Sequence, residues 1–283
     1  MNTVLLKSPM NYIGNKYRVL EQILPLLPEC NTFVDLFAGG LDVSVNEDAA
    51  DVYCNDINCY LINIYKAFQE NGYEAVLAHA EARMEEFGLS KENEEGYLAF
   101  RNFYNHSERD PLDLYLLMNY GFNYQFRFNS KHEFNNPFGR NRSSFNTALQ
   151  ERLRFFMERI ENFAFSSADF RDFDFSVLEE GDLIYCDPPY SLSIGSYNDG
   201  KRGFKGWSRD DDLDLMGILD SLSDRGVKFA LSNVTEHKGQ EHTELKRWAE
   251  KYTVHVIDRG YGNCSYHLSD RNTLTKEVLI TNE

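Results

Sequence analysis

The spacing of apolar positions changes along the chain, and each change predicts an element. Val19, Leu20, Ile23, Leu24 and Leu27 recur every three or four residues, so 17–27 predicts a helix that Pro25 shortens. Thr32 to Phe37 is a short apolar run entering Ala38-Gly39-Gly40, a strand that ends in a glycine turn. Residues 50–55 predict a second strand and 57–68 a helix after it. Helices are expected across 70–120, punctuated by Gly72, Gly88 and Pro111. From 121 to 147 no period holds and Asn, Phe, Tyr, Gly and Arg dominate, which suits a structured loop or hairpin. Helical spacing returns over 149–163, and 181–186 is another buried strand. Ser208 followed by three aspartates marks a capped helix start, with the carboxylates at the positive end of the helix dipole. Strands follow at 227–231 and 252–257. Alternating strands and helices mean an α/β fold with a mostly parallel sheet, and 70–147 reads as an insertion into it.

The 283 residues suit one large domain or one domain with an insertion, and 42% hydrophobic content supports a packed core. No run approaches the roughly 20 apolar residues of a membrane span, and the first residues lack a signal-peptide core, so a soluble intracellular protein is expected. Five cysteines without a Cys-x-x-Cys argue against a disulfide framework or zinc ribbon. The seven histidines form no metal pattern, so no metal site is predicted.

Charge modifies this picture. The formal net charge of −16 argues against a phosphate-rich partner, but the charges are sorted. Residues 127–159 carry seven bases against three acids, and 200–209 carry Lys201, Arg202, Lys205 and Arg209 with no acid. Residues 70–100 carry eight acids and two bases. One basic face on an acidic body would produce this sorting, as would ordinary solvated charge.

Two segments carry candidate chemistry. Asp35-Leu36-Phe37-Ala38-Gly39-Gly40 lets backbone approach a ligand at a sheet edge, and Asp56 follows at a spacing that suits ribose hydroxyls. The G-x-G-x-x-G pattern is absent, which favours a nucleoside ligand without pyrophosphate, although a plain tight turn explains the segment equally well. Asp187-Pro188-Pro189-Tyr190 follows a strand. Its prolines fix φ and lack N–H donors, so a carboxylate, an outward carbonyl and an aromatic ring are offered together. Such acceptors can draw the amine of a heterocycle toward sp³ geometry and localise its lone pair for attack. The bland alternative is a rigid turn with an exposed tyrosine. Tyr12-Ile13-Gly14-Asn15-Lys16 is too short to decide between a ligand clamp and a capped helix start.

In this order the segments resemble the Dam-type DNA adenine-N6 methyltransferases, T-even bacteriophage members included. Tyr120-Gly121-Phe122-Asn123 with Arg127, Pro137-Phe138-Gly139 and Ser232-Asn233-Val234 extend the match over nearly the whole chain. The resemblance implies a Rossmann-like S-adenosylmethionine-dependent methyltransferase domain (1–69 and 148–283) and an inserted, mostly helical target-recognition domain (70–147). It implies methyl transfer to adenine N6 in duplex DNA, within GATC, on a flipped base. Tyr12, Lys16, Asp56 and Asp187 would contact S-adenosylmethionine, Asp35, Phe37 and Gly39 would line its methionine end, and Phe170 would cover its adenine. Asp187 and the carbonyl of Pro188, fixed by Pro189, would accept from the target amine while Tyr190 stacks on the base. Phe122 would wedge into the duplex, Asn123 would steady the opened backbone and Arg127 would read a guanine. Arg140, Lys201 and Lys205 would add contacts to DNA, and no obligatory protein partner or membrane is implied.

Two departures stand out. Gln125 occupies a position where the family places an apolar side chain able to touch a thymine methyl, which bears on the inner T of GATC. Residues 198–207 are longer and more basic than in the phage counterpart. The other readings are an amino-methyltransferase acting on cytosine N4, RNA or a glutamine amide, and a non-catalytic DNA-binding protein of the same fold.

Overall fold

The computed structural model describes residues 5–12, 14–142, 144–192, 206–258 and 275–283. Its frame is a sheet in the order β3–β2–β1–β4–β5–β8–β7. The strands are β1 (Thr32–Asp35), β2 (Asp51–Asn55), β3 (Ala164–Ser166), β4 (Leu183–Cys186), β5 (Lys228–His237), β6 (Gln240–Glu241), β7 (Thr253–Ile257) and β8 (Thr275–Thr281), and β6 pairs with β5 off the main path. β1 pairs in parallel with β2 and β4, and β8 runs antiparallel between β5 and β7. β1 and β4 are buried at every position, as central parallel strands covered on both faces should be.

Helices cover the two faces. The predicted helix at 17–27 is a 3₁₀ turn, a short α1 (Leu20–Ile23) and a second 3₁₀ turn holding Pro25. α2 (Cys59–Asn71) starts at Asn58, whose side chain accepts from Leu61 N. α3 (Tyr73–Phe87) stops at Gly88 in the left-handed region, φ +61°. α4 (Glu94–His106) and α5 (Pro111–Tyr120) follow, the latter with Pro111 in its first turn, where no N–H is needed. α5 is buried from Leu112 to Tyr120, a core helix rather than an amphipathic one. α6 (Thr147–Ile160), α7 (Arg209–Asp224) and α8 (Thr243–Ala249) complete the set. α7 starts at Ser208, whose hydroxyl caps it as expected, and Asp211 returns the bond to close a capping box.

Successive residues of β1 belong to opposite cores: Phe33 to the one that α2 to α6 help build, Val34 to the one shared with α7 and α8. The segment predicted as an insertion therefore shares one continuous core with the sheet. β3, α8 and β8 are not anticipated from sequence. β3 is only three residues long, and β8 has an apolar run of just Val278 to Ile280. Among the described residues no helix is long and apolar enough to cross a membrane.

The strand order reverses between β1 and β4, because the chain runs outward from β1 through β2 to β3 and then returns. Ligand crevices open at the carboxyl ends of strands at such a switch. The two chemically suggestive turns leave the sheet at this point.

Candidate active site

A cavity of about 300 Å³ occupies the switch point and is lined by all eight residues expected to meet S-adenosylmethionine: Tyr12, Lys16, Asp35, Phe37, Gly39, Asp56, Phe170 and Asp187. Pro188, Pro189 and Tyr190 line it as well.

The turn after β1 is held open by small residues. Gly39 has φ +46°, and a Cβ at Gly39 or Gly40 would come within 3.3 Å of Tyr12. The glycines thus let the Tyr12 ring lie on the turn. Asp56 is the turn's clamp: one oxygen accepts from Gly39 N at 2.9 Å and the other from Asn58 N at 2.8 Å. Burial raises its pKa, and these two donors oppose the rise. The Asp56 carboxylate therefore also has a structural task, and its remaining lone pairs are what a ribose could use.

Asp35 is 2% exposed. Ser44 Oγ donates to Oδ2 at 2.5 Å, while buried Oδ1 has no hydrogen-bond partner among the described residues. Burial pushes its carboxyl up to about 7, with Ser44 pulling it down and nearby Asp187 and Asp56 adding to the rise. An orphaned carboxylate oxygen on a cavity wall is suited to a ligand cation. Phe37, Phe170 and Trp207 form an aromatic slot, with ring centroids 5.3–5.6 Å apart. Arg171 stacks over Phe170 at 4.3 Å and is tied down by Asp169, Asp211 and Asp214. A slot for a purine, an acidic wall and an orphan acceptor together fit an adenosine carrying a positively charged sulfonium and an ammonium group.

At the β4 turn, Lys16 Nζ lies 2.5 Å from Asp187 Oδ2 and 2.8 Å from the Tyr190 hydroxyl. The Tyr190 hydroxyl donates to Asp187 Oδ1 at 2.7 Å. Burial first, then Asp187, holds the phenol well above its ordinary pKa, so it remains a donor. Glu277 of β8 completes the cluster, with Oε1 3.5 Å from Lys16 Nζ and 3.2 Å from the Tyr190 hydroxyl.

The 121–139 segment is a hairpin-like turn. Pro137 O accepts from Phe122 N at 2.7 Å, and Gly121 and Phe138 form a bridge. Asn136, fully buried, donates to Phe122 O. Phe122 is 39% exposed, with the Arg142 guanidinium 5.6 Å above its ring. Asn123 and Tyr124 are consecutive left-handed residues at φ +52° and +55°, a conformation that asparagine tolerates better than tyrosine. Arg127 is exposed and Gln125 half-buried. Arg140 is exposed and pairs with Glu94 at 2.8 Å. Ser232 and Asn233, part of the motif match, are buried within β5, where Ser232 meets the Tyr185 hydroxyl. Lys201 and Lys205 lie outside the described residues.

Four residues escaped the sequence reading. Trp207 lines the cavity and was visible only as part of a basic glycine-rich stretch. Tyr124 and Phe126 line it too, and Phe126 meets Tyr12 edge-on at 5.7 Å. Glu277 belongs to the unpredicted strand.

A sheet of this order, with a cavity at the β1/β4 switch, has the architecture of S-adenosylmethionine-dependent methyltransferases. The chain belongs to the D12 class N6 adenine-specific DNA methyltransferase family, whose model matches residues 12–262. It is 49% identical over 280 residues to the Type II methyltransferase M.FokI of Planomicrobium okeanokoites and 45% identical over 282 residues to the modification methylase StsI of Streptococcus sanguinis. Each match covers 98% of this chain but only 43% of the relative, so the chain spans less than half their length. The DNA adenine methylase of Escherichia coli K12 is 28% identical, over 88% of this chain and 86% of its own length. The expected Dam-type kinship thus holds only at the broader level of the D12 family, and the likeness to the Type II modification enzymes is stronger than that to the Escherichia coli adenine methylase.

Proposed function

We propose that this protein transfers a methyl group to the N6 amine of an adenine turned out of duplex DNA. One observation carries this reading above the others: the Asp187-Pro188-Pro189-Tyr190 turn and the Asp35 to Gly40 turn share one cavity, so an amine acceptor and an adenosine-type cofactor site meet. S-adenosylmethionine, the donor that family membership implies, would supply the electrophilic methyl group. Asp35, Asp56 and the slot of Phe37, Phe170 and Trp207 would orient it. Asp187 and the Pro188 carbonyl would accept from the two amine hydrogens, and the Tyr190 ring would flank the base. Walls that are mostly carbon exclude water, which strengthens those polar contacts.

The 70–147 segment is read as the target-recognition unit. Phe122 stands exposed on a buttressed turn where it can fill the gap left by an extruded base. Arg127 presents a planar fork suited to guanine O6 and N7. GATC is the target that the Dam-type resemblance suggests. Gln125 bears on its inner thymine, because glutamine pairs with adenine N6 and N7 rather than with a thymine methyl.

The test is transfer of tritiated methyl from S-adenosylmethionine to duplexes containing GATC, to each single-base variant, and to RNA and to adenine-free duplexes of guanine and cytosine. N6-methyladenine in duplex DNA is the expected product. Label on cytosine, RNA or protein alone would overturn the reading.

A further inference from the structure

β8 carries a buried acid that reaches the proposed catalytic turn from behind. Glu277 is 2% exposed and lies beyond the residues matched by the family model. Its carboxylate shares two neighbours with Asp187. Lys16 Nζ is 2.5 Å from Asp187 and 3.5 Å from Glu277. The Tyr190 hydroxyl is 2.7 Å from Asp187 and 3.2 Å from Glu277.

A phenol has a single hydrogen, so Tyr190 can donate to Asp187 or to Glu277 but not to both. At 2.7 Å the shorter contact favours Asp187, and both Asp187 oxygens then already hold a donor, Tyr190 on Oδ1 and Lys16 on Oδ2. Each oxygen keeps a second lone pair, but an amine hydrogen on Oδ1 would share that oxygen with the phenol, and the oxygen is the stronger acceptor once the phenol lets go. Lys16 is held by charge, so the phenol is the weaker competitor.

We propose that Glu277 is a positioning residue that receives the Tyr190 hydroxyl hydrogen when a substrate amine donates to Asp187. The hydroxyl only has to turn about its C–O bond, so the ring keeps its place beside the base. No buried donor is stranded in the exchange. Glu277 also shares the Lys16 ammonium, so less of the Asp187 charge is neutralised and the carboxylate stays a strong acceptor. The inference rests on the reading of this site as an amine methyltransferase and deepens it by adding a second carboxylate from another strand.

The experiment uses the full-length protein and a duplex that the wild type methylates. Single-turnover rate, S-adenosylmethionine affinity by calorimetry and melting temperature are measured for Glu277→Leu, Glu277→Gln, Tyr190→Phe and the double variant Glu277→Leu/Tyr190→Phe. Glu277→Leu is expected to lower the rate about 10- to 100-fold. Glu277→Gln should keep part of the rate, because its amide oxygen still accepts. Cofactor affinity should stay within about twofold, since the effect lies in the chemical step. In the Tyr190→Phe background the Glu277→Leu effect should shrink, because no hydroxyl hydrogen remains to be received. A wild-type rate in folded Glu277→Leu, an equal fall in both backgrounds, or a matching fall in cofactor affinity would overturn the inference. If Glu277→Leu does not fold, Glu277→Gln decides the matter: a reduced rate at unchanged affinity supports the role, and an unchanged rate removes it. A wild type that methylates no duplex adenine overturns the functional reading itself, which is a different result from any of these.

Discussion

Lys16 and Asp187 form an ion pair of 2.5 Å between turns that lie 171 residues apart in the chain. The lysine side chain is 4% exposed and the aspartate 19%. A buried pair of this kind contributes little net stability once desolvation is counted, whereas removing one partner strands the other. Its value here is placement. The ammonium bridges the loop ahead of the first helix to the end of β4, and so fixes the Asp187 carboxylate in the cavity wall.

Asp187→Ala is therefore expected to abolish methyl transfer, by at least about 10²–10³-fold in single-turnover rate. The protein should remain folded, because Lys16 keeps Glu277 as an ionic partner. Rate and thermal melting measured together check this. Unchanged turnover in a folded variant would remove Asp187 from the chemistry. Lys16→Met should do more damage to the fold, at about 3–5 kcal/mol, because it leaves two carboxylates without their shared cation.

Asp35 sets a pH dependence. Burial raises its carboxyl from 3.8 to about 7, so between these values the folded protein holds a proton that the unfolded chain releases. This contribution to stability is present at acid pH and is lost as pH rises toward 7. A ligand ammonium or sulfonium should bind the ionised form. S-adenosylmethionine affinity is then expected to fall by up to about tenfold per pH unit below 7, with proton release on binding at pH 6. Calorimetry in buffers of different ionisation enthalpy measures that proton. In Asp35→Asn both the proton release and the slope should vanish, and proton uptake by the wild type would contradict the assignment.

Much of the fold was readable from local pattern, because its signals are local. The Ser208–Asp211 capping box, Gly88 in the left-handed region and Pro111 at a helix start each follow from the chemistry of a few adjacent residues. The two turns of the site were readable for the same reason. What stayed hidden depends on long-range placement. β8 becomes a strand by inserting between β5 and β7, so an apolar run of three residues suffices and Glu277 arrives at the site with it. Trp207 joins Phe37 and Phe170 only after the sheet has brought three separate segments together. Asp56 was legible as a candidate cofactor contact but not as the clamp on Gly39, because the geometry of that turn is not written in spacing.

Trp207→Ala should weaken S-adenosylmethionine binding, because it removes one wall of the aromatic slot. The cost expected from the missing ring and the area it buries is about 1.5–3 kcal/mol, with DNA binding little changed. Trp207 also donates to Asp212 at 2.7 Å, so Trp207→Phe, which keeps a ring but loses that bond, separates stacking from anchoring. Cofactor titration by calorimetry and duplex binding by anisotropy give the two readouts. Wild-type cofactor affinity in both variants would place the purine elsewhere.

The edge contact between Tyr12 and Phe126 links the 121–139 segment to the Gly39-Gly40 turn. Phe126 adjoins Arg127, so if Arg127 reads a base as proposed, its displacement on DNA would press on the Tyr12 ring that rests on Gly39 and Gly40. Tyr12→Leu and Phe126→Leu are expected to be coupled by about 0.5–1.5 kcal/mol in a double-mutant cycle on cofactor binding with DNA present. The coupling should shrink when DNA is absent. Additive effects under both conditions would show that the two rings only pack.

The last prediction separates sequence reading from phosphate grip. Arg127 is exposed, and its backbone is pinned by a hydrogen bond from Asn135 N to its carbonyl, so its fork projects from a fixed point. Arg127→Ala should cost about 1–3 kcal/mol of discrimination at one guanine and relax specificity there. Lys201 and Lys205 belong to a glycine-rich basic stretch of the sequence, and the compact charge of a lysine ammonium suits phosphate better than a base edge. Removing either should weaken binding to every duplex alike and make the salt slope shallower by about one for each phosphate no longer neutralised. Binding of each variant to a methylated target duplex and its single-base variants, across a salt series, distinguishes the roles. A uniform fall in affinity with Arg127→Ala, together with a changed base preference in a lysine variant, would show that the two roles are reversed.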